Sequence, residues 1–204
     1  MSTRRSRGLA WVAAGAIVVA SAMTYGPVAA QRGPQGGEWP EYAGDTYGLK
    51  YSPLDQINKN NINDLAVAWR WASADRDIQI KNPALRATRN EDTPLMVKGV
   101  VYTVTPLGMV AALDAATGQQ KWLYDPEVYK NGKPGNSGFI HRGLSYWTDG
   151  KAERLFHGTN DAYVIAIDAK TGQPDAKFGT NGRVDLTEGI PRAVRTTILA
   201  GRRP

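Results

Sequence analysis

The chain has 204 residues and a formal net charge of +6 at pH 7, with 22 glycines, 12 prolines, six tryptophans, nine tyrosines and no cysteine. Its apolar fraction of 42% is ordinary for a globular protein, which excludes a disordered chain and, with so many turn-forming and aromatic residues, favours an all-β fold. The basic residues form no stripe and no nucleic-acid-reading motif is present, so the sequence gives no support for nucleic-acid binding.

The first 30 residues have the three-part pattern of a secretory signal peptide. A basic start at Arg4, Arg5 and Arg7 is followed by an apolar run over 9–23 and by small residues that end at Ala30. We predict a signal peptide over 1–30 and a periplasmic location, with membrane association left open. A retained anchor is the alternative, but the apolar run is shorter than the ~20 residues of a spanning helix. The absence of cysteine excludes disulfides and a lipid on an N-terminal cysteine.

The segment before the first regular repeat is rich in turn residues. Residues 31–38 form a Gly/Pro-rich leader, and a packed, irregular segment begins at Trp39. Asparagine and aspartate over 60–65 predict a short capped helical turn, because their side chains accept hydrogen bonds from free backbone N–H groups. Alternation over 67–71 predicts a strand.

An internal repeat of 54 residues organises the middle of the chain. Each unit is predicted to be a strand, a tight turn, a second strand and then the turn sequence Asp-Ala-x-Thr-Gly. In that turn Asp and Thr bond the backbone and Gly supplies the positive φ, so the motif is structural rather than chemical. One shift of 54 aligns the three landmark residues of the two units: Asp114 with Asp168, Thr117 with Thr171 and Gly118 with Gly172.

A period near 50 residues with paired strands is typical of β-propeller blades. We predict that Trp122 docks between adjacent blades as a core residue; the second unit has Ala176 there, with Phe178 nearby. Residues 39–186 hold about three blades, whereas closed propellers use about four to eight. The predicted fold is therefore all-β, a partial β-propeller with apolar sheet faces left exposed.

Five blocks of sequence follow one another in order over 39–147, within a resemblance that covers about 39–186. They are Trp-Pro, Gly-Asp and Lys-Tyr-Ser-Pro-Leu-Asp-Gln-Ile-Asn within 39–58, Thr-Pro-Leu at 93–95, Tyr102 with Thr-Pro at 105–106, Ala-Leu-Asp-Ala-Ala-Thr-Gly with Trp and Tyr-Asp-Pro within 112–126, and Arg-Gly-Leu-Ser-Tyr-Trp at 142–147. In this order they resemble the N-terminal blades of the pyrroloquinoline quinone (PQQ)-dependent dehydrogenases, closest to the membrane-type glucose or sugar dehydrogenase-like branch.

The resemblance implies an eight-bladed propeller that holds PQQ beside a Ca²⁺ ion. Such an enzyme oxidises an aldose sugar or an alcohol by hydride transfer to the quinone and passes electrons to a quinone or cytochrome c acceptor. Glu91 resembles the carboxylate that contacts PQQ, and Arg142 resembles the arginine that faces the quinone or its carboxylates. Without the resemblance, Glu91 is best interpreted as part of a surface ion pair and Arg142 as a solvated loop residue.

Other candidate residues are predicted to be structural. His141 and His157 are expected on different blades as packing or loop residues, with His141 open to lining a substrate funnel, and Asp161 is expected to support a turn. Some alcohol-oxidising members of the family carry two adjacent cysteines shortly before the arginine, but residues 134–140 contain none, which favours the sugar branch.

The family's metal ligands and general base are expected beyond Pro204. Residues 187–204 are predicted to be an irregular tail, as in a gene fragment, a frameshift or a split gene whose remaining propeller segment lies on another chain. This chain alone is then predicted to be inactive, and an inactive remnant of the same ancestry stays open. The alternative from another class is a non-catalytic β-propeller scaffold of the outer-membrane assembly type. Such scaffolds share the Asp-Ala-x-Thr-Gly turn, but they lack the block at 142–147 and are usually lipid-anchored through cysteine.

Overall fold

The computed structural model describes residues 34–134 and 138–191, and within them eight strands form two four-stranded antiparallel sheets. The predicted signal peptide and the last part of the predicted tail lie outside the described residues. Among the described residues no helix has the length and apolar character needed to cross a membrane. Two complete sheets agree with the predicted all-β, partial propeller.

The first sheet is a meander in chain order, and its strands are β1 (Leu95–Val97), β2 (Val100–Val104), β3 (Val110–Asp114) and β4 (Gln120–Tyr124). β2 and β3 pair from Val100 opposite Asp114 to Val104 opposite Val110, as the repeat predicts. The side chain of Asp114 accepts hydrogen bonds from the N–H groups of Ala116 and Thr117, which closes the predicted turn before β4.

The second sheet repeats this order with β5 (Ser145–Thr148), β6 (Glu153–Gly158), β7 (Tyr163–Asp168) and β8 (Arg183–Asp185). Asp168 closes its turn as Asp114 does, by accepting from Lys170 and Thr171. The connection from β7 to β8 is longer than its counterpart in the first sheet. It carries Asp175, which forms an ion pair with Arg154 at 2.5 Å.

Trp122 joins the two sheets, as predicted. From the outer strand β4 its indole N–H donates to the carbonyl of Ala169 at 3.0 Å, and its ring covers Gly172 so closely that a Cβ there would lie 2.6 Å from it. Because only glycine leaves room for the ring, the turn of the second unit is shaped to receive this tryptophan. Phe178, proposed as the matching aromatic residue, packs instead on Phe156.

The strand predicted over 67–71 is wrong, because this segment has no hydrogen-bonded neighbouring strand among the described residues. Its alternation has another cause, since Trp69 and Trp71 are half-buried against the first sheet while their neighbours are exposed. Trp69 donates to the carbonyl of Ala115 at 2.9 Å, and its ring covers Gly118. Trp122, 53 residues later, makes the same two contacts with Ala169 and Gly172 of the second sheet. The segment thus takes the place of an outer strand beside the first sheet.

Short helices lie outside the sheets. The predicted helical turn is confirmed as a 3₁₀ helix over Ile62–Asp64, and others span Gln35–Gly37, Pro83–Leu85 and Val128–Asn131. One α-helix, α1 (Arg76–Lys81), lies in a segment for which the sequence predicted no element. The described part of the predicted tail, 187–191, has no helix or strand.

The core lies between the facing surfaces of the two sheets. Alternate residues of each strand turn inward, as a pleated strand requires. Burial of each large aliphatic side chain contributes about 1.5–3 kcal/mol, so this shared face holds the sheets together. The buried cluster includes Leu95, Val97, Tyr102, Val104 and Val110 of the first sheet and Leu155, Ile165 and Ile167 of the second.

Antiparallel order divides the connections between two ends of the sheets. One end, called here the turn end, carries the tight β1–β2, β3–β4 and β5–β6 turns, and there Lys98 forms an ion pair with Glu153 of the other sheet at 2.6 Å. The opposite end, called the loop end, carries residues 89–94 before β1 and the β2–β3, β4–β5 and β6–β7 connections. Polar residues predicted to be functional lie at the loop end.

Candidate functional site

Glu91 and Arg142 meet at the loop end. Each precedes the first strand of its sheet, so the matching course of the two sheets brings residues 51 positions apart to one place. Arg142 Nη2 lies 3.1 Å from Glu91 Oε2. The Glu91 side chain is 27% exposed and the Arg142 side chain 76%, so the carboxylate lies deeper and the guanidinium faces solvent. Most of the N–H donors of Arg142 therefore remain accessible.

Arg89 is a third member of this cluster, and it was not among the site residues predicted from the sequence. Its Nε lies 3.0 Å from Glu91 Oε1, so each carboxylate oxygen of Glu91 has its own guanidinium partner. Two guanidinium groups thus contact one carboxylate, so Glu91 can balance only one of their two positive charges. The spacing of two residues between Arg89 and Glu91 was the available signal, because alternate side chains of an extended segment point the same way.

Asp92 anchors the segment that carries Glu91. Its Oδ2 accepts from Thr103 Oγ1 at 2.5 Å and from the N–H of Val104 at 3.2 Å, which fixes the segment to β2. Burial raises the pKa of Asp92, and the hydrogen bonds from Thr103 and Val104 oppose that rise. Its Oδ1 is buried with no hydrogen-bond partner among the described residues. The carboxylate next to Glu91 is thus a structural support.

Gly143 permits the close approach of the two sheets at this site. Its φ of 128° lies in a region that L side chains rarely adopt, and a Cβ there would lie 3.0 Å from the carbonyl oxygen of Thr93. Only glycine lets the backbone beside Arg142 pack on the segment that carries Glu91. Gly143 therefore helps to set the distance between the two charged side chains.

The two histidines lie in contact, which the sequence did not predict. His141 lies in the connection before β5 and His157 in β6, and their ring centroids are 5.1 Å apart. Chain separation hid this contact, because the β4–β5 connection folds back over the end of β6. Both side chains are buried, as the packing interpretation requires. Burial lowers the pKa of His141 to about 4; burial and then the charge of His141 lower that of His157 to about 3.

Asp161 supports a turn, in agreement with its predicted role. Its Oδ1 accepts from Thr159 Oγ1 at 2.5 Å, and its Oδ2 accepts from Asn131 at 3.2 Å. These contacts tie the β6–β7 turn to the β4–β5 connection. Asp161 thereby holds together two of the connections at the loop end.

A cavity of about 810 Å³ adjoins the cluster at the loop end. Asp75 holds one wall in place, because its buried carboxylate accepts from Ser73 and from the N–H of Leu107 in the β2–β3 turn. The cavity wall combines aromatic, charged and polar side chains, and it includes Trp71, Arg76, Gln79, Arg86, Asn90 and Thr103. Neither Glu91 nor Arg142 lines this cavity. No element was predicted for the segment that forms most of its wall, which includes α1.

The donor set of the cluster fits an anionic ligand better than a metal ion. Planar guanidinium groups bind carboxylates through paired N–H donors and keep their charge at any physiological pH. In the described part of the chain no group of three or more His, Asp or Glu side chains could hold a metal ion. The cluster therefore suits the carboxylates of PQQ.

Comparison with known proteins agrees with this fit. The family model described as "PQQ: Glucose/ethanol/alcohol dehydrogenase, beta-propeller domain" matches residues 39–204. The dehydrogenase subunit of the alcohol dehydrogenase (quinone) of Gluconacetobacter polyoxogenes is 36% identical over 176 residues, which cover 81% of this chain and 22% of that protein. The quinoprotein glucose dehydrogenase of Gluconobacter oxydans strain 621H is 34% identical over 174 residues, with 78% and 21% covered.

Solved structures give the same result. The quinohemoprotein alcohol dehydrogenase of Comamonas testosteroni superposes with a TM-score of 0.55 at 30% identity, over 74% of this chain and 20% of that one. This chain spans about a fifth of the length of the curated relatives it matches. The matching family and these relatives are dehydrogenases, so they favour an enzyme over the scaffold considered above.

Proposed function

Because this chain belongs to the PQQ family of glucose, ethanol and alcohol dehydrogenase β-propeller domains, we propose that Arg142 and Glu91 form one side of a PQQ site in a dehydrogenase. The observation that carries the proposal is the 3.1 Å contact between Arg142 and Glu91, the two residues that resemble the family's cofactor contacts and that precede different sheets. When bound, PQQ supplies the chemistry by accepting a hydride from the substrate.

The chain's own residues bind and orient in this proposal. Arg142 presents accessible N–H donors that bind a carboxylate of the cofactor through a two-point contact, which fixes both position and orientation. Glu91, the more buried partner, holds the guanidinium of Arg142 in place through their ion pair. Asp92 and Gly143 hold the two backbone segments together, so the cluster forms before the ligand arrives and little ordering remains when it binds.

The substrate of the whole protein is proposed to be an aldose sugar or an alcohol. The lack of cysteine shortly before Arg142 supports the sugar branch, while the relatives include both glucose and alcohol dehydrogenases. Electrons would pass to a quinone or cytochrome c, and Ca²⁺ would bind to residues outside those described. The N-terminal pattern supports export to the periplasm. Other propeller segments, on this polypeptide or another, would complete the ring.

Binding of PQQ to the 204-residue chain tests the proposal. We expect Arg142→Gln to weaken binding by about tenfold or more, because a charge-assisted hydrogen-bonded pair is lost. Arg142→Lys should restore only part of the affinity, since an ammonium cannot make the two-point contact. Isothermal titration calorimetry measures both.

Lys151→Gln is the matched control, because Lys151 is exposed in the β5–β6 turn at the opposite end of the sheets. It removes the same charge as Arg142→Gln and should leave affinity within about twofold. If Arg142→Gln and Lys151→Gln weaken PQQ binding equally, the net charge of the chain accounts for the effect and the proposed site is contradicted. Failure of the unmodified chain to bind PQQ would contradict it as well.

A further inference from the structure

Arg89 is the part of the loop-end cluster to which the sequence resemblance gives no role. It forms an ion pair with Glu91 at 3.0 Å and its side chain is 61% exposed. We propose that Arg89 is a second carboxylate-binding residue of the cofactor site, beside Arg142. This inference rests on the proposed function and adds to it a residue that binds the ligand directly.

The charge of the cluster supports this role. One carboxylate balances one guanidinium, so Glu91 neutralises only one of its two arginine partners. Both guanidinium groups are more exposed than the carboxylate between them, at 61% for Arg89 and 76% for Arg142 against 27% for Glu91. A cation that is only partly compensated attracts an anion, and PQQ carries several carboxylates.

The geometry of the donors supports it as well. Arg89 contacts Glu91 through Nε, and Arg142 contacts it through Nη2. Each guanidinium has five N–H donors, so each keeps further donors for a ligand after its contact with Glu91. Both guanidinium groups contact the same carboxylate, so they lie close to each other. Two carboxylates of one rigid ligand could then be bound at once.

The backbone keeps Arg89 in position. Asn90 Oδ1 accepts from the N–H of Asp92 at 3.2 Å, and Asp92 is bonded to β2 through Thr103 and Val104. The segment that carries Arg89 and Glu91 is therefore attached to the sheet immediately after them. A guanidinium on an anchored segment loses less entropy on binding than one on a free loop.

A double-mutant cycle separates ligand binding from simple neutralisation of Glu91. PQQ binding is measured by calorimetry for the unmodified chain, Arg89→Gln, Glu91→Gln and the double variant. We expect Arg89→Gln to weaken binding by about tenfold or more both when Glu91 is present and when it is replaced by Gln, because the lost contact is with the ligand. Lys151→Gln again serves as the charge control.

A chemical probe provides a second readout. The trimethyl ester of PQQ lacks the carboxylates and should bind equally weakly to the unmodified chain and to Arg89→Gln. Because Arg89 is exposed, the variant should keep the thermal unfolding midpoint of the unmodified chain, which circular dichroism checks.

The outcomes that overturn the inference are distinct from those that overturn the proposed function. If Arg89→Gln weakens binding only while Glu91 is present, Arg89 merely neutralises Glu91 and the inference is wrong. The inference is also wrong if Arg89→Gln leaves PQQ affinity unchanged both with Glu91 and with Gln at position 91. It is wrong as well if Arg89→Gln weakens binding of the trimethyl ester as much as it weakens binding of PQQ. If the unmodified chain does not bind PQQ, the proposed function fails and the inference fails with it.

Discussion

Gly143 shows how a residue without a side chain contributes to a charged site. Its φ of 128° is one that L side chains rarely adopt, and a Cβ there would lie only 3.0 Å from the carbonyl oxygen of Thr93. We expect Gly143→Ala to lower the free energy of unfolding by about 1–3 kcal/mol, because it combines backbone strain with a close contact. Urea denaturation measures this change.

Gly158→Ala is the control for that substitution. Gly158 lies in β6 without a positive φ, and a Cβ there would meet nothing within 4 Å. We expect a change within about 0.5 kcal/mol. Equal stability of the two variants would contradict the role given to Gly143.

The buried histidine pair predicts a loss of stability in acid. Both pKa values lie below the unfolded value of about 6.5, at about 4 for His141 and about 3 for His157, so folding disfavours the protonated rings. Their stabilising contribution is therefore complete above about pH 6.5 and declines as the pH falls towards 4, by up to about 1.4 kcal/mol per pH unit for each histidine.

Urea denaturation between pH 7 and 4.5 tests this for the unmodified chain and for His157→Gln. We expect the variant to show a smaller decrease in stability with falling pH, whatever its stability at pH 7. The raised pKa of Asp92 acts in the opposite sense, since it gives stability at low pH that is lost as the pH rises, so the comparison uses the difference between the two chains. Identical pH slopes would contradict the prediction.

At the scale of elements, two tryptophans pack on glycines in the turns of the sheets, and each such contact is called here a tryptophan joint. Trp69 covers Gly118, and Trp122 covers Gly172, with a Cβ at either glycine lying 2.5–2.6 Å from the indole ring. We expect Gly172→Ala to lower the free energy of unfolding by about 1–3 kcal/mol beyond the strain of a positive φ alone, because the indole has to move.

Gly99→Ala isolates that contribution. Gly99 has nearly the same φ as Gly172, 76° against 73°, but a Cβ there meets nothing within 4 Å. The difference in stability between Gly172→Ala and Gly99→Ala measures the joint itself. If the two variants unfold at the same urea concentration, the joint contributes nothing.

The sequence predicted the strand pairs and turns of the internal repeat well, and it predicted the segments outside the repeat poorly. Asp114 and Asp168 identified their turns because a local hydrogen bond requires that residue type at that position. The strand predicted over 67–71 failed because alternation reports half-burial, whereas a strand also needs a neighbour, which no local pattern reveals. The contact of Glu91 with Arg142 is set by the course of two sheets, so only the family resemblance pointed to both.

At the scale of the whole molecule, the described residues hold one side of the proposed cofactor site, and among them no three His, Asp or Glu side chains are grouped so that they could hold a metal ion. We expect the 204-residue chain, supplied with PQQ and Ca²⁺, to show no phenazine-coupled dye reduction with glucose or ethanol. A complete relative serves as the positive control. Robust turnover by this chain alone would contradict the assignment of metal and general base to other residues.

The joints made by Trp69 and Trp122 have a further consequence for how such a molecule is assembled. On the receiving side each joint uses only a backbone carbonyl and a glycine, which are features that every turn of this type can offer. A unit that ends in tryptophan can therefore dock on any unit that carries the turn. The joint makes the units stackable but does not encode their order.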